Sequence, residues 1–179
     1  MYRLLLISMS LLLASALVGQ NIEFERPLDA LRSKTVSYPA GSLASTSPLS
    51  GGGLNLNMDP SASAQLVIAR PNDWDGTSTI QVSILFNGNQ NPNGSVRFML
   101  RPRMIIPGQG FVEADGITGT SALLNVPNER NTNTIMIPAN RINPNAPWWN
   151  LVMIPDVSSS TYNGVVTIKS VSITYEALR

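Results

Sequence analysis

The stretch "RPNDWDGTSTIQVSILF", residues 70–86, decides the fold class. Its second half alternates. Ile80, Val82, Ile84 and Phe86 share one side, while Thr79, Gln81 and Ser83 share the other. Successive side chains of an extended chain point to opposite faces, so this is a strand with one buried face. The first half is dense in turn formers: Pro71, Asn72, Asp73, Asp75 and Gly76 surround Trp74. The spacing predicts a sandwich corner in which Asp73 caps a turn, Gly76 supplies an unusual φ and Trp74 plugs the end.

Two-fold patterning continues on both sides. Leu54, Leu56 and Met58 alternate, and "AQLVIA" (64–69) is a short apolar run. "SVRFMLRPR" (95–103) puts Val96, Phe98 and Leu100 inward and Arg97, Arg101 and Arg103 outward. "SALLNV" (121–126), "NTIMIPA" (133–139) and "WWNLVMIPD" (148–156) are further strands. In the last run, "VVTIKSVSITYE" (165–176), Val166 and Ile168 fall on even positions, but Val171, Ile173 and Tyr175 on odd ones. A two-fold pattern shifts by one only through an extra residue, which predicts a β-bulge near Lys169–Ser170. About eight short strands with no convincing helix after residue 35 predict an all-β fold. The expected architecture is a single jelly-roll-like antiparallel β-sandwich over residues 54–179.

Ahead of it, residues 1–19 resemble a signal peptide. Arg3 precedes an apolar core, Leu4–Leu13, and the small residues Ala14-Ser15-Ala16. The rival reading is a retained hydrophobic arm, buried in an assembly or anchored in a membrane; uncleaved, this segment would be the only membrane contact. After a short helix expected beyond Pro27, the Ser/Pro/Gly-rich run "KTVSYPAGSLASTSPLSGGG" (34–53) makes residues 20–53 an extended arm or linker.

Composition narrows the chemistry. Lys and Arg number 12 against 11 Asp and Glu, a net charge of +1, so no nucleic-acid partner is implied. The chain lacks cysteine and histidine, which removes disulfides, thiolate or imidazole ligands and the commonest general base. No cofactor or metal is expected. Around Gly76, an EF-hand loop would use Asp73 and Asp75, but Pro71 and Val82 occupy two other ligand places, so that site fails. A looser cation site adding Asp59 is the remaining version. Glu113 and Asp115 are two carboxylates in a Gly-rich loop with nothing to fix them as an acid–base pair. No nucleophile elbow, phosphate loop or dinucleotide fingerprint occurs, and the chain reads as non-enzymatic.

Candidate binding residues are aromatic and cationic. Trp148 and Trp149 must point to opposite faces of their strand, one to the core and the other to solvent, a subunit or a sugar ring. Tyr162, beside a loop, is a weaker candidate of the same kind. Arg97, Arg101 and Arg103 offer guanidinium forks to carboxylates or phosphates, as on an acidic glycan or lipopolysaccharide; otherwise they form a solvated or subunit-facing sheet surface.

Residues from about 53 to 176 resemble a jelly-roll domain of tailed-phage virion and appendage proteins and related metagenomic sequences. The resemblance is carried by the corner Pro71, Trp74, Asp75 and Gly76, by "GSVRFMLRPR" from Gly94, and by the closing "YNGVVTIKSVSITYE". Ser170 departs from the glycine usual there, and phage structural proteins rarely begin with a signal-like segment. The resemblance implies a virion structural subunit, working by self-association with copies of itself or neighbouring subunits. The alternative expectation is an exported bacterial surface or periplasmic protein, a glycan-binding module or a filament or matrix subunit.

Overall fold

The computed structural model describes residues 32–45, 49–50, 52–88, 93–126 and 128–178. The signal-peptide-like segment 1–19 and the helix expected after Pro27 lie outside the described residues. In chain order the strands are β1 (Arg32–Pro39), β2 (Ala44–Ser45), β3 (Leu49–Ser50), β4 (Gly53–Asn57), β5 (Ala64–Ala69), β6 (Ile80–Gly88) and β7 (Gly94–Val96). Then follow β8 (Phe98–Ile106), β9 (Gly110–Glu113), β10 (Ile117–Thr118), β11 (Ala122–Leu124), β12 (Asn131–Ile137), β13 (Trp148–Pro155) and β14 (Val165–Ala177). The helical residues among those described are two 3₁₀ turns, Ala40–Ser42 and Ala139–Arg141.

Two antiparallel sheets pack face to face. The first runs β12-β6-β14-β4-β3, with β1 also on β14; the second runs β10-β8-β13-β5-β2, with β9 also on β8. β7 and β11 form a small separate pair. Among the longer strands from β4 to β14, each successive strand lies in the opposite sheet: β4, β6, β12 and β14 in the first, β5, β8 and β13 in the second. This back-and-forth winding is the jelly-roll-like sandwich that the strand pattern predicts. The core lies between the sheets, lined by Ile80, Val82, Ile84 and Phe86 from β6 and by Leu66, Phe98, Leu100, Leu151 and Met153 from the second sheet. Phe86 meets Phe98 edge to face across it, with ring centroids 5.3 Å apart.

The sandwich begins earlier than the sequence suggests. Part of the expected arm, Arg32–Pro39, is a strand paired residue for residue with β14, from Arg32 opposite Ala177 to Pro39 opposite Ser170. Residues 44–45 pair with β5. The boundary expected at residue 54 therefore moves to Arg32. β1 is hydrophilic because it is an edge strand: only Val36 and Tyr38 pack against the core. Backbone pairing holds the rest, helped by hydroxyl pairs Thr35–Thr174 and Ser37–Ser172, each at 2.8 Å.

β14 is the spine of the first sheet, and it carries the expected bulge. Against β6 the register shifts between Ile168 and Ser170, leaving Lys169 as the extra residue. On its other edge β14 pairs β4 up to Ile168 and β1 from Ser170 onward. The bulge thus sits where one neighbour hands over to the next. It lets Val166 and Ile168 before it, and Val171, Ile173 and Tyr175 after it, all face the core. Gly53 opens β4 beside this point, where a Cβ would lie 2.8 Å from the Ile168 carbonyl oxygen.

Deleting Lys169 puts Val166, Ile168, Val171, Ile173 and Tyr175 on one parity and lets β14 pair β6 without a bulge. Inserting one residue between Ser172 and Ile173 instead throws Ile173 and Tyr175 to the wrong face. Each buried side chain of this size is worth about 1.5–3 kcal/mol, so the insertion is expected to remove more than about 3 kcal/mol in urea unfolding, or folding altogether, while the deletion keeps these side chains on the core face. Lys169→Ala, which keeps the extra residue, should lose far less.

Candidate functional site

The site is set by what Trp149 does. Its ring is buried (1% exposed) and meets Trp74 edge to face, centroids 5.3 Å apart at 87°. Trp74 is in turn fixed to the first sheet, bridged to Ala177 at the end of β14. The flanking backbone repeats the attachment: Asp75 N–H donates to the Glu176 carbonyl (3.1 Å) and Leu178 N–H to the Asp73 carbonyl (2.7 Å). The corner at 71–76 is therefore stapled to one sheet while its indole plugs into the other. With Trp149 pinned inward, the pleat forces Trp148 outward, and it is 47% exposed.

The corner carboxylates are used locally. Asp75, not Asp73, caps the turn, accepting from the N–H groups of Thr77 (3.1 Å) and Ser78 (2.9 Å) and from both hydroxyls. Gly76 has the positive φ expected, 75°. Asp73 instead accepts from Lys34 Nζ (2.7 Å) and the Tyr175 hydroxyl (2.9 Å), joining the corner to β1 and β14. Lys34 first, then Tyr175, holds the Asp73 carboxyl below the usual carboxylate range. Burial and Asp73 together push the Tyr175 phenol up. Asp59 is occupied by Ser61. Among the described residues no group of three or more His, Cys, Asp or Glu could hold a metal.

The outer face of the second sheet is built in rows across the strands. One row runs Ala69, Trp148, Ile105, Phe111 over β5, β13, β8 and β9. The next runs Val67, Asn150, Arg103, Glu113, and a third runs Gln65, Val152, Arg101. Strands lie about 4.8 Å apart, so Trp148 and Phe111, two strands apart, stand about 10 Å from each other. Phe111 is 61% exposed and Val67 is exposed as well. Asn150 Nδ2 donates to Gln65 Oε1 at 3.1 Å. Glu113 takes Arg103 Nε at 3.0 Å and has Arg101 Nη1 at 3.9 Å. The Arg103 guanidinium carbon lies 5.2 Å from the Phe111 ring centre. Val152 is buried yet stands apart from the core cluster.

Of the residues singled out from sequence, the structure gathers Trp148, Arg101 and Arg103 on this face. Trp149 belongs to the core. So does Tyr162, a correction: its ring lies against Gly164 and its hydroxyl donates to the Val165 carbonyl at 3.0 Å. Arg97 is also set apart. The strand breaks at this residue, whose N–H donates to Ser160 Oγ (3.0 Å) and whose carbonyl accepts from Asp156 N–H (2.9 Å). It is half-buried against the turn after β13. Glu113 and Asp115 do not form a pair, since Asp115 binds Arg141 at 2.8 Å. Phe111, Asn150 and Gln65 were not anticipated. The available signal was "IIPGQGFVE" (105–113), a Pro/Gly turn between two β-forming runs that closes the β8–β9 hairpin, with positive φ at Gly108 and Gly110.

No family model matches the sequence, and none of the curated proteins does. Among solved structures, the chain is similar to a xylan-binding module (CBM15), with 13% identity and a TM-score of 0.49, covering 83% of this chain and 100% of that one. It is also similar to a family 29 carbohydrate-binding module from Piromyces equi, at 8% identity and TM-score 0.44, covering 81% and 92%. A family two carbohydrate esterase from Cellvibrio japonicus matches at 14% identity and TM-score 0.42 over 82% of this chain, which spans only 36% of that enzyme.

Because the folded pKa of Asp73 is depressed, its contribution to stability is fully present above the unfolded value near 3.9 and is lost as pH falls through the lower folded value. Asp73→Asn should therefore melt below the parent protein at pH 7, and the gap should close on acidification well below pH 3.9. Scanning fluorimetry across pH reads both.

Proposed function

We propose that the chain is a non-catalytic glycan-binding module of an exported or surface protein, and that the outer face of the second sheet is its binding platform. The supporting observation is Trp148, a half-exposed indole mid-sheet, in one row with Phe111 and beside the amides of Asn150 and Gln65. A pyranose ring has an apolar C–H face that packs on an indole, and hydroxyls around its rim that exchange hydrogen bonds with carboxamides. The spacing of Trp148 and Phe111 suits different rings of one chain. An open face of this kind favours a polymer over a small molecule, which would be enclosed in a cleft. Binding rather than catalysis is supported by Glu113 and Asp115, each held by arginine instead of facing a partner carboxylate.

The exposed strip of Val67, Trp148 and Phe111 also favours a second reading, the structural subunit expected from the phage resemblance, because apolar strips serve subunit contacts too. Sedimentation velocity separates them. A Trp148-dependent oligomer supports the subunit; a monomer that binds polysaccharide supports the module.

Trp148→Ala should weaken polysaccharide binding by about tenfold or more, the loss expected for a central aromatic anchor. Its melting temperature should stay within about 4 °C of the parent's, since little core is touched. Trp149→Ala should do the reverse at the level of stability, costing about 3–5 kcal/mol. Affinity electrophoresis and calorimetric titration, beside thermal melts, check all three.

A further inference from the structure

We infer that the platform selects an acidic glycan, a polysaccharide carrying uronate carboxylates, which deepens and rests on the glycan-binding reading of the same face. Among the described residues whose side chains point outward from the β5, β13, β8 and β9 rows, the charged ones are Arg101, Arg103 and Glu113. Two guanidiniums share one carboxylate, and the face keeps a net positive charge. The sharing is unequal. Arg103 is hydrogen-bonded to Glu113 at 3.0 Å, while Arg101 stands off at 3.9 Å with 44% of its side chain exposed. Arg101 thus has donors in its fork left for a second carboxylate.

The placement relative to the aromatics gives this charge a use. Arg103 lies one row from Trp148, about 7 Å along the strands, and its guanidinium is beside the Phe111 ring. A sugar stacked along the Trp148–Phe111 row therefore presents its rim to the arginines. A neutral hydroxymethyl there gains a neutral hydrogen bond; a carboxylate gains a charge-assisted, bidentate one. An arginine held by a glutamate is also oriented before the ligand arrives, so less freedom is lost on binding.

The test is calorimetric titration of the full chain at physiological salt with sodium polygalacturonate, neutral hydroxyethylcellulose and poly-glutamate. The expected result is a uronate-over-neutral affinity ratio of about tenfold or more, with little binding of the peptide polyanion. Arg101→Gln with Arg103→Gln should bring that ratio toward one, and Glu113→Gln should raise it. Equal affinity for the two polysaccharides, both lost in Trp148→Ala, would overturn acidic selection while leaving the glycan platform standing. Equal affinity for polygalacturonate and poly-glutamate would overturn it too, by reducing it to non-specific charge. Binding of neither polysaccharide, or binding indifferent to Trp148→Ala, would sink the platform and the inference together.

Discussion

Everything outward-facing on the second sheet depends on one edge-to-face contact, Trp74 against Trp149. Two adjacent tryptophans on a strand cannot both be buried by a single core, because the pleat sends them to opposite faces. Trp149 goes inside with Leu151 and Met153, and Trp74 packs against it, reaching across from a corner stapled to the end of β14. Once Trp149 is inside, Trp148, Asn150, Val152 and Ile154 are all outside, and antiparallel pairing sets Arg101, Arg103 and Ile105 beside them. A core contact thus determines the chemistry of a surface.

The first sheet supplies the rigidity behind that contact. β14 pairs β6 along one edge, and β4 then β1 along the other, with the bulge at the handover. Its last residues hold the corner, and Asp73 links the corner to Lys34 and Tyr175. The carboxylates around Trp74 serve the fold: one caps a turn, the other ties strands together.

Much of this was legible in the sequence, and the exceptions have specific causes. The change of parity in the last strand fixed the bulge without any tertiary information, because alternation permits no other one-residue shift. The opposition of Trp148 and Trp149 was equally legible. Their assignment had one local signal, Asn150, a polar residue on the parity of Trp148 and opposite to that of Leu151 and Met153, and the contact with Trp74, far away in sequence, agrees with it. β1 was hidden by its composition, for an edge strand joined through backbone and hydroxyl pairs carries little apolar pattern. Arg97 shares parity with Arg101 but is separated by a break in the strand, and the backbone groups that cause it come from the turn after β13. Phe111 sits in a glycine-rich stretch with too few residues to show alternation, although those glycines are what fold β9 back beside β8.

The chain has three tryptophans, so their indole N–H signals give the most direct test of the central claim. In a ¹⁵N-labelled sample, hydrogen exchange followed at all three, before and during titration with polysaccharide, separates the inward from the outward rings. The Trp148 N–H should exchange quickly and be the indole signal that moves on titration, with Trp74 and Trp149 protected and unmoved. Rapid exchange at Trp149, or titration shifts at Trp74 and Trp149 with Trp148 silent, would contradict the account.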